Sequence, residues 1–279
     1  MDTLIRWKDE HTTVFRSALY ETTSSVVVTD DCVIVVDPNW LPHEIEEIQR
    51  YVDGVKEDRA IYLLFTHSDY DHIIGYRAFP EAIVIASGAF NRKSTSEKEK
   101  IIEEIKTFDD DYYISRNYDI IYPEVDHIID GDGTSIKIGQ TKLTFFQAQG
   151  HNDDGLFMII EPIGVFFCGD YFSDIEFPFI YFSSYEYEKT ILKLDDNLSN
   201  FDIKILVTGH GNPTSDTREM KKRQQDSLEY IVKMREYISS NDNEAIIQLI
   251  KDCKFPRNMK KTHQNNTLLM EKEISENDK

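Results

Sequence analysis

The residues best suited to chemistry in this 279-residue sequence lie in Phe65-Thr66-His67-Ser68-Asp69-Tyr70-Asp71-His72. Two imidazoles and two carboxylates fall within six residues, directly after the apolar run Ile61-Tyr62-Leu63-Leu64-Phe65. A loop leaving a buried strand can turn alternate side chains inward, and imidazole with carboxylate is a donor set for borderline or hard divalent ions. A solvated polar turn has the same composition, so the segment alone does not decide. Three more ligand-type residues stand just past apolar runs and beside glycine: His151 after Gly150, Asp170 after Phe166-Phe167-Cys168-Gly169, and His210 between Gly209 and Gly211. Glycine allows the tight backbone that an inward-pointing loop residue often needs. One histidine beside glycine says little, whereas four such settings in one chain favour a shared metal site.

The elements that must carry these residues are legible as alternating strands and helices. Residues 25–29 and 32–37 are β-branched runs flanking Asp30-Asp31, which reads as a hairpin. A helix follows, with Pro42 in its first turn, Ile45, Ile48 and Val52 at helical spacing, and Glu44, Glu46 and Glu47 near its positive end. The apolar run 61–65 is a strand buried on both faces, 82–86 another, and 87–108 one helix. Residues 109–123 are acidic and tyrosine-rich without a period, a loop that either covers a site or has no role. Short runs at 128–129, 134–138, 142–147, 156–160, 164–168 and 203–207 predict a second set of strands, with a helix over 185–197 among them. From Asp216 the pattern is helical. Asp216-Thr217-Arg218-Glu219 resembles a capping box, Leu228, Ile231, Met234 and Ile238 form a stripe, and Pro256 breaks the chain before a last helix. The order predicts an α/β fold of two packed sheets covered by helices: residues 1–213 as one metal-binding domain and 214–279 as a C-terminal helical extension packed on it.

Composition bounds the function. The net charge is −20, and since residues 214–279 carry 13 basic and 12 acidic side chains, the excess falls on the first 213 residues. Nucleic-acid binding needs a basic footprint, so a small-molecule substrate is expected and nucleic acid is not; most of the carboxylates read as a solvated surface. No apolar run approaches the roughly 20 residues of a membrane span, and the start lacks the order of a secretory signal, which predicts a cytoplasmic protein with no membrane partner. Cys32, Cys168 and Cys253 lie far apart and imply no disulfide framework.

The ordered set of Asp37, then His-x-Asp-x-Asp-His over 67–72, then His151, Asp170 and His210, resembles the metallo-β-lactamase-fold superfamily from about residue 24 to 213. The resemblance implies a four-layer αβ/βα sandwich with the metal site at one edge between the sheets. By position, His67, Asp69 and His151 would hold one ion, Asp71, His72 and His210 the other, and Asp170 would bridge both. Asp37 would support the metal loop without binding metal. The sequence departs from the commonest pattern, His-x-His-x-Asp-His, by having Asp69 in place of the second histidine. A carboxylate there adds a negative charge and a harder donor, which favours iron, manganese or a weakened zinc site over tight zinc. Two divalent ions are expected, zinc the first of them with iron or manganese admitted by Asp69, and the rival reading is that Asp69 cripples the first site and leaves a single ion.

The function implied is metal-dependent hydrolysis of a small ester, phosphoester, lactone or thioester by a metal-bound hydroxide. Asp71 is the candidate catalytic residue, orienting the hydroxide and then protonating the leaving group. One alternative is a di-iron oxidoreductase, because the similar flavodiiron branch uses a carboxylate at the Asp69 position, although residues 214–279 are too few and too helical for a flavodoxin domain. The other is a non-catalytic metal-binding protein. The lack of an export signal argues against β-lactam hydrolysis. Around the ligands, Tyr70 either lines the pocket or packs beneath the loop, and Asn152-Asp153-Asp154 either contacts substrate or forms a solvated turn. The aromatic run 177–182 is core or pocket wall, and His263, sharing a helix face with Asn266 and Met270, either packs or folds back toward the site.

Overall fold

The computed structural model of the protein describes residues 4–277. In chain order it comprises β1 (Ile5–Lys8), β2 (Thr12–Arg16), β3 (Thr23–Val28), β4 (Cys32–Val36), α1 (Pro42–Val55), β5 (Ala60–Leu64), α2 (Tyr70–Ile73) and, after a short 3-10 turn, β6 (Ile83–Ser87). Next come α3 (Gly88–Arg92), α4 (Thr95–Asp111), β7 (His127–Ile129), β8 (Thr134–Ile138), β9 (Thr141–Gln147), β10 (Leu156–Glu161) and β11 (Val165–Phe167). The chain continues through α5 (Ser184–Asn200), β12 (Ile205–Val207), α6 (Thr217–Ser239), α7 (Asn243–Gln248) and α8 (Pro256–Asn277).

Alternation along the fully buried strands sorts the core into three layers. Val33 and Val35 of β4 face α1 and α4, where they meet Ile45, Ile48 and Ile105. Cys32, Ile34 and Val36 face the second sheet and meet Met158, Ile160 and Phe167. In β10 the same rule sends Leu156, Met158 and Ile160 inward between the sheets, while Phe157 and Ile159 pack outward against α5 and α6 through Ile191, Leu194 and Met234. The result is the four-layer αβ/βα sandwich expected from the sequence. Its sheets have the strand orders β1-β2-β3-β4-β5-β6-β7 and β12-β11-β10-β9-β8. From β4 to β7 the first sheet is parallel, as is the β11–β12 pair of the second. Ligand sites in α/β folds form beyond the carboxyl ends of parallel strands, and here pairing runs past those ends: Asp37 N–H donates to Leu64 O at 3.1 Å and Cys168 N–H to Val207 O at 3.0 Å.

The structure departs from expectation in four places. It adds β1 and β2, which pair with β3 as the outer edge of the first sheet. The single helix expected over 87–108 is two, because Lys93 is extended and Ser94 starts a new helix with a reciprocal Ser94–Glu97 capping box. At Asp216 the cap is real, but its carboxylate accepts from Arg218 N–H rather than from Glu219. A short helix, α7, intervenes before Pro256. The extension packs on the second sheet's outer layer through Met220, Tyr230, Ile231, Met234 and Met270. Among the described residues no helix is long and apolar enough to cross a membrane.

Met234 is fully buried and Val232, two residues earlier on the same helix, is 52% exposed. Met234→Ala is therefore expected to destabilise the protein by about 2–5 kcal/mol and Val232→Ala by less than about 0.5 kcal/mol in urea unfolding; equal effects would contradict this packing of α6.

Candidate metal centre

The site begins with Asp37, whose backbone is left-handed at φ 45° and whose side chain is buried where β4 ends. Its Oδ1 accepts from Thr66 N–H at 2.9 Å, and its Oδ2 accepts from the Thr66 hydroxyl at 2.5 Å and from His72 Nδ1 at 2.9 Å. With its proton given to Asp37, Thr66 Oγ1 is left as acceptor for His67 Nδ1 at 3.0 Å. The other two imidazoles are held by backbone carbonyls: His151 Nδ1 donates to Phe179 O at 2.8 Å, and His210 Nδ1 to Tyr20 O at 2.9 Å. An Nδ1 tied up as donor leaves Nε2 as the free lone pair in the neutral ring, the arrangement by which proteins orient metal-ligating histidines.

All four Nε2 atoms converge on the carboxylates. Asp170 stands at the middle, its oxygens 3.2 Å from His72 Nε2, 3.3 Å from His151 and His210, and 3.7 Å from His67. Asp69 lies 3.2 Å from His151 Nε2 and 3.6 Å from His67 Nε2, and Asp71 is 3.4 Å from His210 Nε2. Donor atoms of His67, Asp69, His151 and Asp170 form one group within 4.8 Å, and those of Asp71, His72 and His210 another. Ligand atoms bound at about 2.0–2.2 Å around one tetrahedral ion sit roughly 3.3 Å apart, so this spacing suits divalent cations. The buried His67 Nε2, His72 Nε2 and Asp170 Oδ1 have no hydrogen-bond partner among the described residues. An unsatisfied buried polar group costs about 1–3 kcal/mol, a cost that ligation would remove. The residues present therefore fit the group.

The loops are braced from behind. Asn152 Nδ2 donates to Asp69 Oδ1 at 2.6 Å. Asp154 accepts from Ser68 N–H at 3.4 Å and pairs with Lys93 at 3.2 Å, and Lys93 also holds Asp153 at 2.8 Å. The turn after His151 thus clamps the 67–72 loop, and Asp153 and Asp154 do not line the cleft over the carboxylates. Gly209 owes its place to room: a Cβ there would strike the Asp170 carboxylate. The buried Cys168 thiol donates to Val207 O at 3.1 Å and is pushed well up by burial, which leaves no nucleophile there.

A cleft of about 130 Å³ opens over the carboxylates. Tyr70 both lines it and packs edge-on against Trp40 at 5.4 Å, so its two readings are both true. The aromatic run divides, with Phe179 and Tyr181 in the cleft wall, Ile180 in the core, and Phe177 stacked on Tyr230 at 4.8 Å. His263 packs away from the cleft, with Nδ1 2.9 Å from Tyr230 Oη and Nε2 2.9 Å from Ile246 O. Its helix sends Asn258 and Thr262 to the cleft instead. Tyr20 and Glu176 also line it and were not anticipated; both stand on loops with no motif to flag them. None of the residues 109–123 lines it.

Burial disfavours charge throughout the site, yet the facing charges prevail. Imidazoles hold Asp69 and Asp170 well below the usual carboxylate range. The carboxylates in turn raise His151 to about 9, His210 to about 10, and His72 well above its ordinary value. Burial, aided by Asp170 and Asp71 and opposed by His210, pushes the Glu176 carboxyl up to about 7.

Known proteins share this arrangement of sheets and loops. The metallo-beta-lactamase superfamily model matches residues 19–210. A metallo-beta-lactamase family protein from Thermus thermophilus has a similar structure, with TM-score 0.66 and 17% identity over 96% of this chain and 94% of that one. A metallo-beta-lactamase from Pontibacter korlensis gives 0.57 and 13% over 81% and 98%, and an archaeal superfamily protein from Sulfolobus tokodaii 0.52 and 15% over 79% and 87%. At such identities the likeness is one of fold. No curated protein matches the chain.

The protons and the braces of the centre both have measurable consequences. A histidine whose pKa is raised on folding contributes stability below about pH 6.5 that is lost as pH passes its folded value. With His151 at about 9 and His210 at about 10, chelator-treated protein is expected to lose thermal stability between pH 7 and 10. Zinc-loaded protein is expected to lose less, since an ion at Nε2 replaces the proton; parallel melting curves would contradict the ligand assignment. Asp37→Asn, which removes the charge facing His72, is expected to weaken metal binding about 10–100-fold in chelator competition.

Proposed function

The chain belongs to the metallo-beta-lactamase superfamily, and we propose that it is a metal-dependent hydrolase of a small ester, phosphoester, lactone or thioester. The observation that carries this reading is the convergence of four imidazole Nε2 atoms and three carboxylates, with each Nδ1 already engaged elsewhere. In the proposed assignment His67, Asp69 and His151 would hold one ion, Asp71, His72 and His210 a second, and Asp170 would be shared between the two groups. Bound divalent ions would supply Lewis-acid polarisation of the substrate and acidify a water molecule. Zinc is the first expectation, and Asp69 as a hard donor admits iron or manganese.

The chain's own residues do the rest. Asp71 lines the cleft, so its carboxylate can orient the attacking water, take up its proton and deliver it to the leaving group. Asn152, bonded to Asp69 Oδ1, keeps that carboxylate's other oxygen turned to the centre. Residues 1–213 supply this chemistry, and the 214–279 extension shapes the entrance through Asn258 and Thr262. One observation favours a second reading: Asp69 places a carboxylate where the flavodiiron branch, which this loop resembles, also has one, consistent with a di-iron oxidoreductase served by a separate electron donor.

Elemental analysis of protein purified without added metal, followed by an ester and phosphoester panel, tests the reading. About two zinc ions per chain with turnover are expected; two irons with oxygen consumption would favour the oxidoreductase. Asp71→Asn is expected to lower kcat about 10²–10⁴-fold while the protein still binds metal. Undiminished turnover in that variant would remove Asp71 from the chemistry.

A further inference from the structure

Among the described residues, none of those lining the cleft over the metal centre is lysine or arginine. A site that receives a phosphate, sulfate or carboxylate beside the reacting bond ordinarily meets it with such cations. Here the walls are Tyr20, Tyr70, Phe179 and Tyr181, with the Glu176 carboxylate among them. The rings are fixed from behind: Tyr20 lies 5.9 Å and Tyr70 5.4 Å from Trp40, and Tyr181 lies 5.1 Å from His151. They are also open in front, since Tyr20 is 46% and Tyr181 49% exposed. Aromatic faces beside a carboxylate are the surroundings that ammonium groups prefer.

Charge continues the pattern outward. Beyond Tyr70 a groove runs along α4, where Glu103, Glu104 and Asp111 face a single amine, Lys100. At the centre, Asp69, Asp71 and Asp170 set against two divalent ions would leave one positive charge in excess, which Glu176 offsets only to the extent that it is ionised. An incoming substrate therefore passes an acidic groove on its way to the centre, which favours the approach of cations over that of anions.

We infer that the substrate of this site carries an amine or quaternary ammonium group close to its scissile bond, held by Tyr20, Tyr70, Tyr181 and Glu176, and that anionic analogues are excluded. This deepens the hydrolase reading and rests on it for the reaction, though not for the binding of the cation. Within the ester, phosphoester, lactone and thioester classes it selects substrates whose remaining part is cationic. The acidic groove also implies faster capture at low salt.

The test uses the full-length, metal-loaded chain in two measurements. The first is calorimetric titration with tetramethylammonium, for which saturable binding is expected, weakened roughly ten-fold by Tyr181→Ala and by Glu176→Gln. The second compares three acetate esters of matched size whose alcohol bears a trimethylammonium, a tert-butyl or a carboxylate group. The cationic ester is expected to exceed the neutral one about ten-fold in kcat/KM, and the anionic ester to be slowest. No binding of tetramethylammonium, or an order in which the anionic ester is fastest, overturns the inference. Binding without turnover of any ester upholds the cation pocket and overturns the hydrolase reading.

Discussion

A carboxylate withdrawn from water must find donors for its lone pairs, and the way Asp37 finds them sets the rest of the site. It takes two bonds from Thr66 and one from His72, tying the end of β4 to the loop that leaves β5. The Thr66 hydroxyl, having given its proton to Asp37, can only accept from His67. One buried charge thereby orients two imidazoles, directly and through a relay. A left-handed backbone at a non-glycine residue, here Asp37, costs on the order of 1–3 kcal/mol; that strain is tolerated because the neighbouring strands over-determine the carboxylate's position.

Much of this was readable from the sequence, for physical reasons that differ by residue. The 61–72 segment announces itself because a strand whose final residues, Leu63 and Leu64, are fully buried together with the following Phe65 cannot hide polarity there, so two histidines and two aspartates just past its end demand another account. The structure brings all seven ligand-type residues to one place. Residues that act through the backbone leave no such mark: Tyr20 and Phe179 hold His210 and His151 by their carbonyls, which any side chain would permit. His263 shows the opposite difficulty. Its helical face was evident, but which neighbour that face meets depends on α6 and α7, whose packing no local pattern specifies. Strand β2 carries little apolar signal because Thr12-Thr13 and Arg16 dilute it, although its threonines are buried.

The glycines beside the ligands illustrate how a correct expectation can have a different cause. Gly150 does adopt a dihedral closed to other residues, at φ 127°. Gly209 has no such dihedral; it makes space for Asp170 and for the edge of the His72 ring. Conformational freedom and bare volume are separate reasons for the smallest residue, and the same site uses both.

The order in which the donors occur along the chain has a consequence for biosynthesis. Four of them lie between residues 67 and 72, but His151, Asp170 and His210 come from three loops of the second sheet. During synthesis the first cluster emerges well before its partners and, under the proposed assignment, would offer an ion only part of its ligand set. The set is complete only with β12 paired beside β11, which places His210 against Tyr20 and Thr22. If these residues hold ions as proposed, capture by the full set would be a late event, available only to chains in which both sheets have assembled.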